Sequence, residues 1–242
     1  MSQPGKVKGQ QAFVLHAQPY KETSLLVEMF TRDHGRVGLV ARGARRPRAG
    51  IRALLLPFSP LEVGWFGKSD IRTLSDIDWQ GGLPQLAGTP LVTGFYVNEL
   101  IMKLVARDDP HEGLFDDYRT LIAHLARGSV AIAPALRRFE LQLLAATGYA
   151  PTLDRDLAGE PVRADAVYGF VPGEGARPGA ERGCEVSGQT LLALDHGALD
   201  QASAAVLREA RFLNRALLTH ALAGTELASR ALLNEVAALS DN

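Results

Sequence analysis

Six arginines and no acidic residue lie between Arg36 and Arg52: Arg36, Arg42, Arg45, Arg46, Arg48 and Arg52. A guanidinium is permanently charged, and its planar fork can grip a phosphate at two oxygens. Several at short spacing supply what a polyanion needs, because each contact to a phosphate releases condensed counterions. The chemistry implied is electrostatic capture of a nucleic-acid backbone, not the making of bonds. Lys68, in the turn Gly67-Lys68-Ser69-Asp70, extends the same basic set. Tyr20, between Pro19 and Lys21, is the aromatic best placed to stack on a base. Phe13, Phe30, Phe58, Trp65 and Phe66 sit at strand spacing and read as core. Strong phosphate contacts with few base contacts predict binding without sequence preference.

Other constellations carry less chemistry. The six histidines, His16, His34, His111, His124, His196 and His220, are scattered, and none forms an HExxH pair. Asp108-Asp109 and Asp116-Asp117 are adjacent pairs, and neighbours on a helix point in different directions, so neither makes a shared carboxylate site. Gly173-Glu174-Gly175 is interrupted by Pro172 and Pro178 and lacks the strand and helix of a phosphate loop. A single cysteine, Cys184, allows no intrachain disulfide and no cysteine-built zinc site. The expectation is a protein that is not an enzyme and has no cofactor and no metal. Arg137-Arg138-Phe139-Glu140 reads, from its composition, as a partly exposed helix with an internal Glu–Arg pair.

The elements that must position these residues fall into two kinds. Through residue 80 the chain carries 12 Lys/Arg against 7 Asp/Glu, a balance of +5, while the remainder has 14 against 20, or −6. Such asymmetry assigns a polyanion partner to the front half alone. Five short strands are predicted there: Gln11–His16, Ser24–Phe30, Val37–Ala41, Leu61–Phe66 and Ile71–Leu74, with a turn at Asp33-His34-Gly35. The basic stretch 42–52, broken by Gly43, Pro47 and Gly50, is a mobile connection with a helical turn at Ile51–Leu55. Five strands with a long third connection fit a closed oligonucleotide-binding (OB-fold) barrel over 1–80. A Gly/Pro-rich linker, 81–88, leads to a helical domain over 89–242. Its helices are read from Thr89-Pro90 onward, at Glu112–Arg127, Pro134–Gly148, Ser187–Leu194, Ala202–Ala223 and Glu226–Leu239. Residues 151–185 are an irregular insertion with a strand at Ala166–Val171. The fold class is therefore α+β. No stretch approaches the roughly 18 apolar residues of a membrane span, and Met1–Gln11 has no signal-like apolar run, so a cytoplasmic location is expected.

Ala12-Phe-Val-Leu-His16, Tyr20-Lys-Glu-Thr-Ser-Leu25, Gly35-Arg36, Val40-Ala-Arg-Gly-Ala44 and Leu56-Pro-Phe-Ser-Pro-Leu61 together resemble the N-terminal barrel of the bacterial RecO family of recombination mediators. Tyr96-Val-Asn-Glu-Leu100, Leu114-Phe-Asp-Asp-Tyr118, Arg137-Arg-Phe-Glu-Leu141, Gly148-Tyr149 and Ser229-Arg230 match its helical domain in the same order. The resemblance implies a non-catalytic DNA repair and recombination protein. Such a protein binds single- and double-stranded DNA, anneals complementary strands and associates with RecR. It also binds the acidic, Phe-ended C-terminal tail of single-strand-binding protein, and so helps RecA onto coated strands. It implies a DNA surface at Arg36, Arg42, Arg45, Arg46, Arg48 and Arg52, and a tail pocket with Arg137, Arg138 and Phe139 at a basic helix start. Many relatives carry a four-cysteine zinc module after Gly-Tyr-x-Pro. Here Gly148-Tyr149-Ala150-Pro151 is followed by no such set, which places the chain with the zinc-free branch. The competing expectation is a sequence-nonspecific RNA-binding or nucleoid-associated module built on the same barrel.

Overall fold

The computed structural model describes residues 5–128, 130–180 and 183–229. The front of the chain forms five strands: β1 (Lys6–Tyr20), β2 (Ser24–Thr31), β3 (Gly35–Ala41), β4 (Leu61–Phe66) and β5 (Ile71–Trp79). They close a barrel in the order β1-β2-β3-β5-β4, with β1 pairing antiparallel to β4 and β3 running parallel to β5. Closure leaves no unpaired sheet edge. Val14, Val27, Met29, Val37, Leu39, Leu61, Val63 and Trp65 fill its interior. The barrel is the one expected, but four strands are longer, β2 and β3 by one or two residues and β1 and β5 by five or more. β1 starts at Lys6 because the polar run Lys6–Gln11 pairs with Glu62–Phe66 across a bulge, and polarity concealed it. β5 reaches Trp79 because all of β4 has a partner there, from Leu61↔Trp79 to Phe66↔Thr73.

The helices are α1 (Ile51–Leu54), α2 (Gly88–Leu104), α3 (Glu112–Arg127), α4 (Ile132–Ala146), α5 (Gly188–Asp195) and α6 (Ala204–Ala221). The residues read as the N-cap and first turn of α2, Thr89 and Pro90, lie inside it, after Ala87 in the capping position. Of the helix expected at Glu226–Leu239, residues 230 onward lie outside the described residues. Ser229-Arg230 is affected in the same way at its second member.

Two compact units divide the chain. One holds the barrel, α2 and α3 with the described part of the segment from Leu227, and the other spans Gly128–Glu226. The change from strands to helices therefore falls within the first unit. There Phe13 and Phe30 meet Phe115 and Tyr118 at ring-centroid distances of 5.1–5.9 Å. Asn98 Nδ2 donates to the Leu15 carbonyl at 3.0 Å, and the Tyr118 hydroxyl donates to Asn98 Oδ1 at 2.7 Å. Burial pushes the Tyr118 phenol far above its ordinary pKa, so it stays protonated as that donor. The segment from Leu227 docks on α2, where Glu99 Oε1 accepts from the Ala228 amide at 2.9 Å and Oε2 from the Ser229 amide at 2.9 Å.

In the second unit the expected irregular insertion is partly a sheet. β6 (Val167–Val171), β7 (Gly175–Pro178) and β8 (Cys184–Ser187) pair antiparallel in the order β7-β6-β8. Strands of four or five residues are too short to show alternation, and their glycines read as turns. Gly183, at positive φ, lets the backbone approach Phe170: a β-carbon there would lie 2.2 Å from its carbonyl oxygen. Tyr168, Phe170, Ala176 and Val186 bury the sheet's apolar side. Among the described residues no helix is long and apolar enough to cross a membrane. No group of three or more His, Cys, Asp or Glu among them could hold a metal ion.

Candidate nucleic-acid interface

The arginine segment begins where β3 ends. Ala41 and Ala44 are fully buried, and Arg42 between them is exposed. The chain then descends through consecutive turns, with Arg46 N–H donating to the Gly43 carbonyl, Ala49 to Arg46, Arg52 to Ala49 and Ala53 to Gly50 at 3.0–3.2 Å. Arg48 takes the left-handed conformation with φ 66°. The helical turn expected near Ile51 is α1, and Leu55 after it is again buried. Ala44, Ile51 and Leu55 thus hold the segment to the barrel core, while Arg42, Arg45, Arg46, Arg48 and Arg52 are all exposed. The stretch read as a mobile connection is a chain of turns with apolar anchors.

Two of these arginines are tied to the neighbouring surface. Arg45 N–H donates to the Thr23 carbonyl at 2.9 Å, and its guanidinium to the carbonyls of Lys21 and Glu22 at 3.3 and 3.4 Å. Arg42 reaches Thr73 Oγ1 on β5 at 3.5 Å. Lys21 Nζ stands 5.4 Å from the centre of the Tyr20 ring. Tyr20, Lys21, Arg42 and Arg45 therefore share one end of the barrel. Lys21 was not singled out from sequence, although its position beside Tyr20 was the signal that could have found it.

Lys68 is exposed, in the turn between β4 and β5, and lies beside Gly5. One of the expected residues is buried against other elements. Arg36 points out of the barrel but is covered, with only 15% of its side chain exposed. It donates to the Met102 carbonyl and lies 3.7 Å from Glu28 Oε2. Arg107 also pairs with Glu28, and Arg72 meets Asp108 at 2.5 Å. Burial lowers the Arg36 pKa, Glu28 opposes that, and the like charge of Arg107 adds to it. The neighbouring Gly35, at φ 65°, has the Asp109 carbonyl so close that a β-carbon would lie 2.0 Å from it. Gly35-Arg36 is a clasp between β3 and the segment after α2. Of the aromatics, Phe13, Phe30, Phe58 and Trp65 are buried, Phe66 is exposed, and Trp79, unremarked in the sequence, is 59% exposed.

The three residues expected at the tail pocket also separate. Phe139 is core. Arg137 is 11% exposed and pairs at 3.0 Å with the fully buried Glu140, whose other oxygen accepts from Asn214 of α6 at 2.9 Å. Arg138 alone lines an open groove of about 420 Å³, with Leu141, Pro151, Leu153, Leu194 and Leu199 as its apolar walls. Its guanidinium holds Asp200 at 2.9 Å and the Gly197 carbonyl at 3.3 Å. The far wall comes from residues some fifty positions on, which no local pattern pairs with α4. An apolar groove with a cation in its lining can seat a hydrophobic side chain that carries a carboxylate.

Comparison with known proteins adds a second line of observation. Residues 6–82 match the family profile "Recombination protein O N terminal" and residues 88–231 match "Recombination protein O C terminal". A curated protein of Laribacter hongkongensis named DNA repair protein RecO is 99% identical over 242 residues, covering both chains entirely. One of the same name from Chromobacterium violaceum is 48% identical with full coverage of both chains. Another, from Thiobacillus denitrificans, is 45% identical over 99% of this chain and 96% of its own.

Proposed function

This chain belongs to the RecO family of DNA repair proteins, and from that membership we propose that it is a non-catalytic mediator of strand annealing and recombinase loading. The observation that carries the reading is the row of exposed arginines from Arg42 to Arg52, fixed to a closed barrel by buried Ala44 and Leu55. Cations on an anchored backbone lose less freedom on meeting a phosphate chain than cations on a loose loop. Neutralising two strands at once lowers the repulsion that slows their pairing. The ligands are single- and double-stranded DNA, captured by charge and stacking with no bond made or broken. The groove beside Arg138 receives the acidic, Phe-ended tail of single-strand-binding protein, with the Arg138–Asp200 pair exchanging for the tail's carboxylate. RecR is the direct protein partner, and RecA benefits indirectly by gaining access to coated DNA. The protein works in the cytoplasm, at the nucleoid.

Fluorescent single-stranded DNA titrated across a salt series tests this, with the native chain beside Arg42/Arg45/Arg46→Ala. Affinity that falls steeply with salt is expected, with the slope in the variant smaller by about 0.7 for each lost contact. An unchanged slope moves the DNA site off this segment. Tighter binding to an RNA strand of the same sequence favours the RNA-binding module instead.

A further inference from the structure

We propose that α6 carries a second single-stranded nucleic-acid contact, formed by Arg208, Arg211, Phe212 and Arg215. This helix separates its residues sharply. Val206, Ala210, Leu213, Asn214, Leu217 and Leu218 are buried, whereas Arg208, Arg211, Phe212, Arg215 and Thr219 are exposed. The exposed set recurs at helical spacing and so forms one stripe. The single acid of α6, Glu209, is not part of it, because its carboxylate accepts from the Ser187 and Thr190 hydroxyls at 2.6 Å each. The stripe itself therefore holds no acidic residue, in a back half whose overall balance is acidic.

Its aromatic residue points to the occupant. Phe212 is 63% exposed, the highest value among the large hydrophobics of the described residues. That much exposed ring presents an open face on which a base can stack. Between Arg208 and Arg215 the helix rises about 11 Å, a length of a few nucleotides, with the ring near the midpoint. Guanidiniums on either side of an exposed ring match the alternation of phosphates and base faces along a single strand. A shallow hollow of about 470 Å³ beside the ring is lined by Pro172, Arg215, Thr219 and His220, which adds further hydrogen-bonding side chains. An acidic peptide would meet the same charge, but the hollow beside the ring is shallow and open and does not enclose an apolar side chain. A base needs a ring to lie on, and Phe212 presents one.

The test uses the full chain and a dye-labelled thirty-nucleotide oligo(dT). Arg208/Arg215→Ala should weaken binding about tenfold at low salt and reduce the salt slope by about 1.4, two contacts at 0.7 each. Phe212→Ala should cost about fivefold at unchanged slope, the smaller end of the loss of one stacked base. Arg208/Arg215→Lys should recover the slope. All these side chains are exposed, so the variants should melt with the native chain, and circular dichroism confirms that the fold is intact. Unchanged affinity and slope in Arg208/Arg215→Ala overturn the proposal, whatever Arg42/Arg45/Arg46→Ala does. If that barrel variant alone loses binding, only the α6 contact is lost and the mediator reading stands. If the α6 variants keep oligo(dT) but lose an acidic peptide ending in Phe, the stripe is a protein-binding face and the proposal fails.

Discussion

Arg36 and Arg42 are the same side chain on the same run of sequence, and their surroundings differ completely. Arg42 lies exposed, with one long hydrogen bond to Thr73, whereas Arg36 sits between Glu28 and the Met102 carbonyl. The alternation of β3 explains why sequence could not separate them. Val37, Leu39 and Ala41 enter the barrel core, so Arg36 and Val40 point outward. Whether an outward residue meets water depends on what packs over the barrel, and Met102 and Arg107 come from 66 and 71 positions later. Arg36→Ala leaves Glu28 with one partner fewer, and because Arg107 remains, the loss should fall at the low end of the roughly 3–5 kcal/mol that breaking a buried charge pair costs. The expected outcome is a lower urea midpoint with oligo(dT) affinity within about twofold of native. A variant of native stability and much weaker DNA binding would return Arg36 to the interface. The pairing foreseen within Arg137-Arg138-Phe139-Glu140 was legible because an i,i+3 pair is local, and Arg137 makes it. The groove at Arg138 was not legible, since its far wall is Leu194 and Leu199.

At the level of elements, α5 shows how a short helix borrows its cap. Ser187 Oγ accepts from the Thr190 amide at 3.2 Å, but the position that would supply a capping glutamate holds Thr190 itself. Glu209 of α6 takes that role from another element and accepts from the Ser187 amide at 2.9 Å as well as from both hydroxyls. Burial alone would raise the Glu209 pKa, but these hydrogen bonds outweigh it and hold the carboxyl below its ordinary 4.5. A lowered folded pKa means stability that is present above the ordinary value and lost as pH falls through the lower one. Glu209→Gln should therefore cost about 1–2 kcal/mol at neutral pH. Its gap to the native chain should close as the pH drops below the ordinary glutamate value. Thermal melts of both proteins from neutral to acid pH check this, and a gap independent of pH would assign the loss to shape and not charge. The limits of α3, Glu112–Arg127, were readable from its stripe of apolar residues and Gly128. The sheet β7-β6-β8 was not, because pairing between strands this short shows only in three dimensions.

For the whole molecule, sequence likeness and compactness divide the chain at different places. The two family profiles meet between residues 82 and 88, whereas the compact units part after Arg127. The difference is carried by Phe13 and Phe30, fully buried against Phe115 and Tyr118. Each buried phenylalanine is worth about 1.5–3 kcal/mol, so a barrel without α2 and α3 exposes a costly patch. A chain ending at residue 87 should associate, as light scattering would show, while one ending at residue 128 should remain a monomer with strand-rich circular dichroism. A monomeric, cooperatively melting 1–87 fragment would show that the barrel closes without its helices. The docking of Ala228 and Ser229 on Glu99 sets an order in time as well as in space. A ribosome releases these residues only after all of Gly128–Glu226 has been made, so the first unit waits through the synthesis of the second for its last ligands. A nascent chain interrupted anywhere in that interval leaves the Glu99 carboxylate without them, and a protease could distinguish an unfinished product from a finished one at α2.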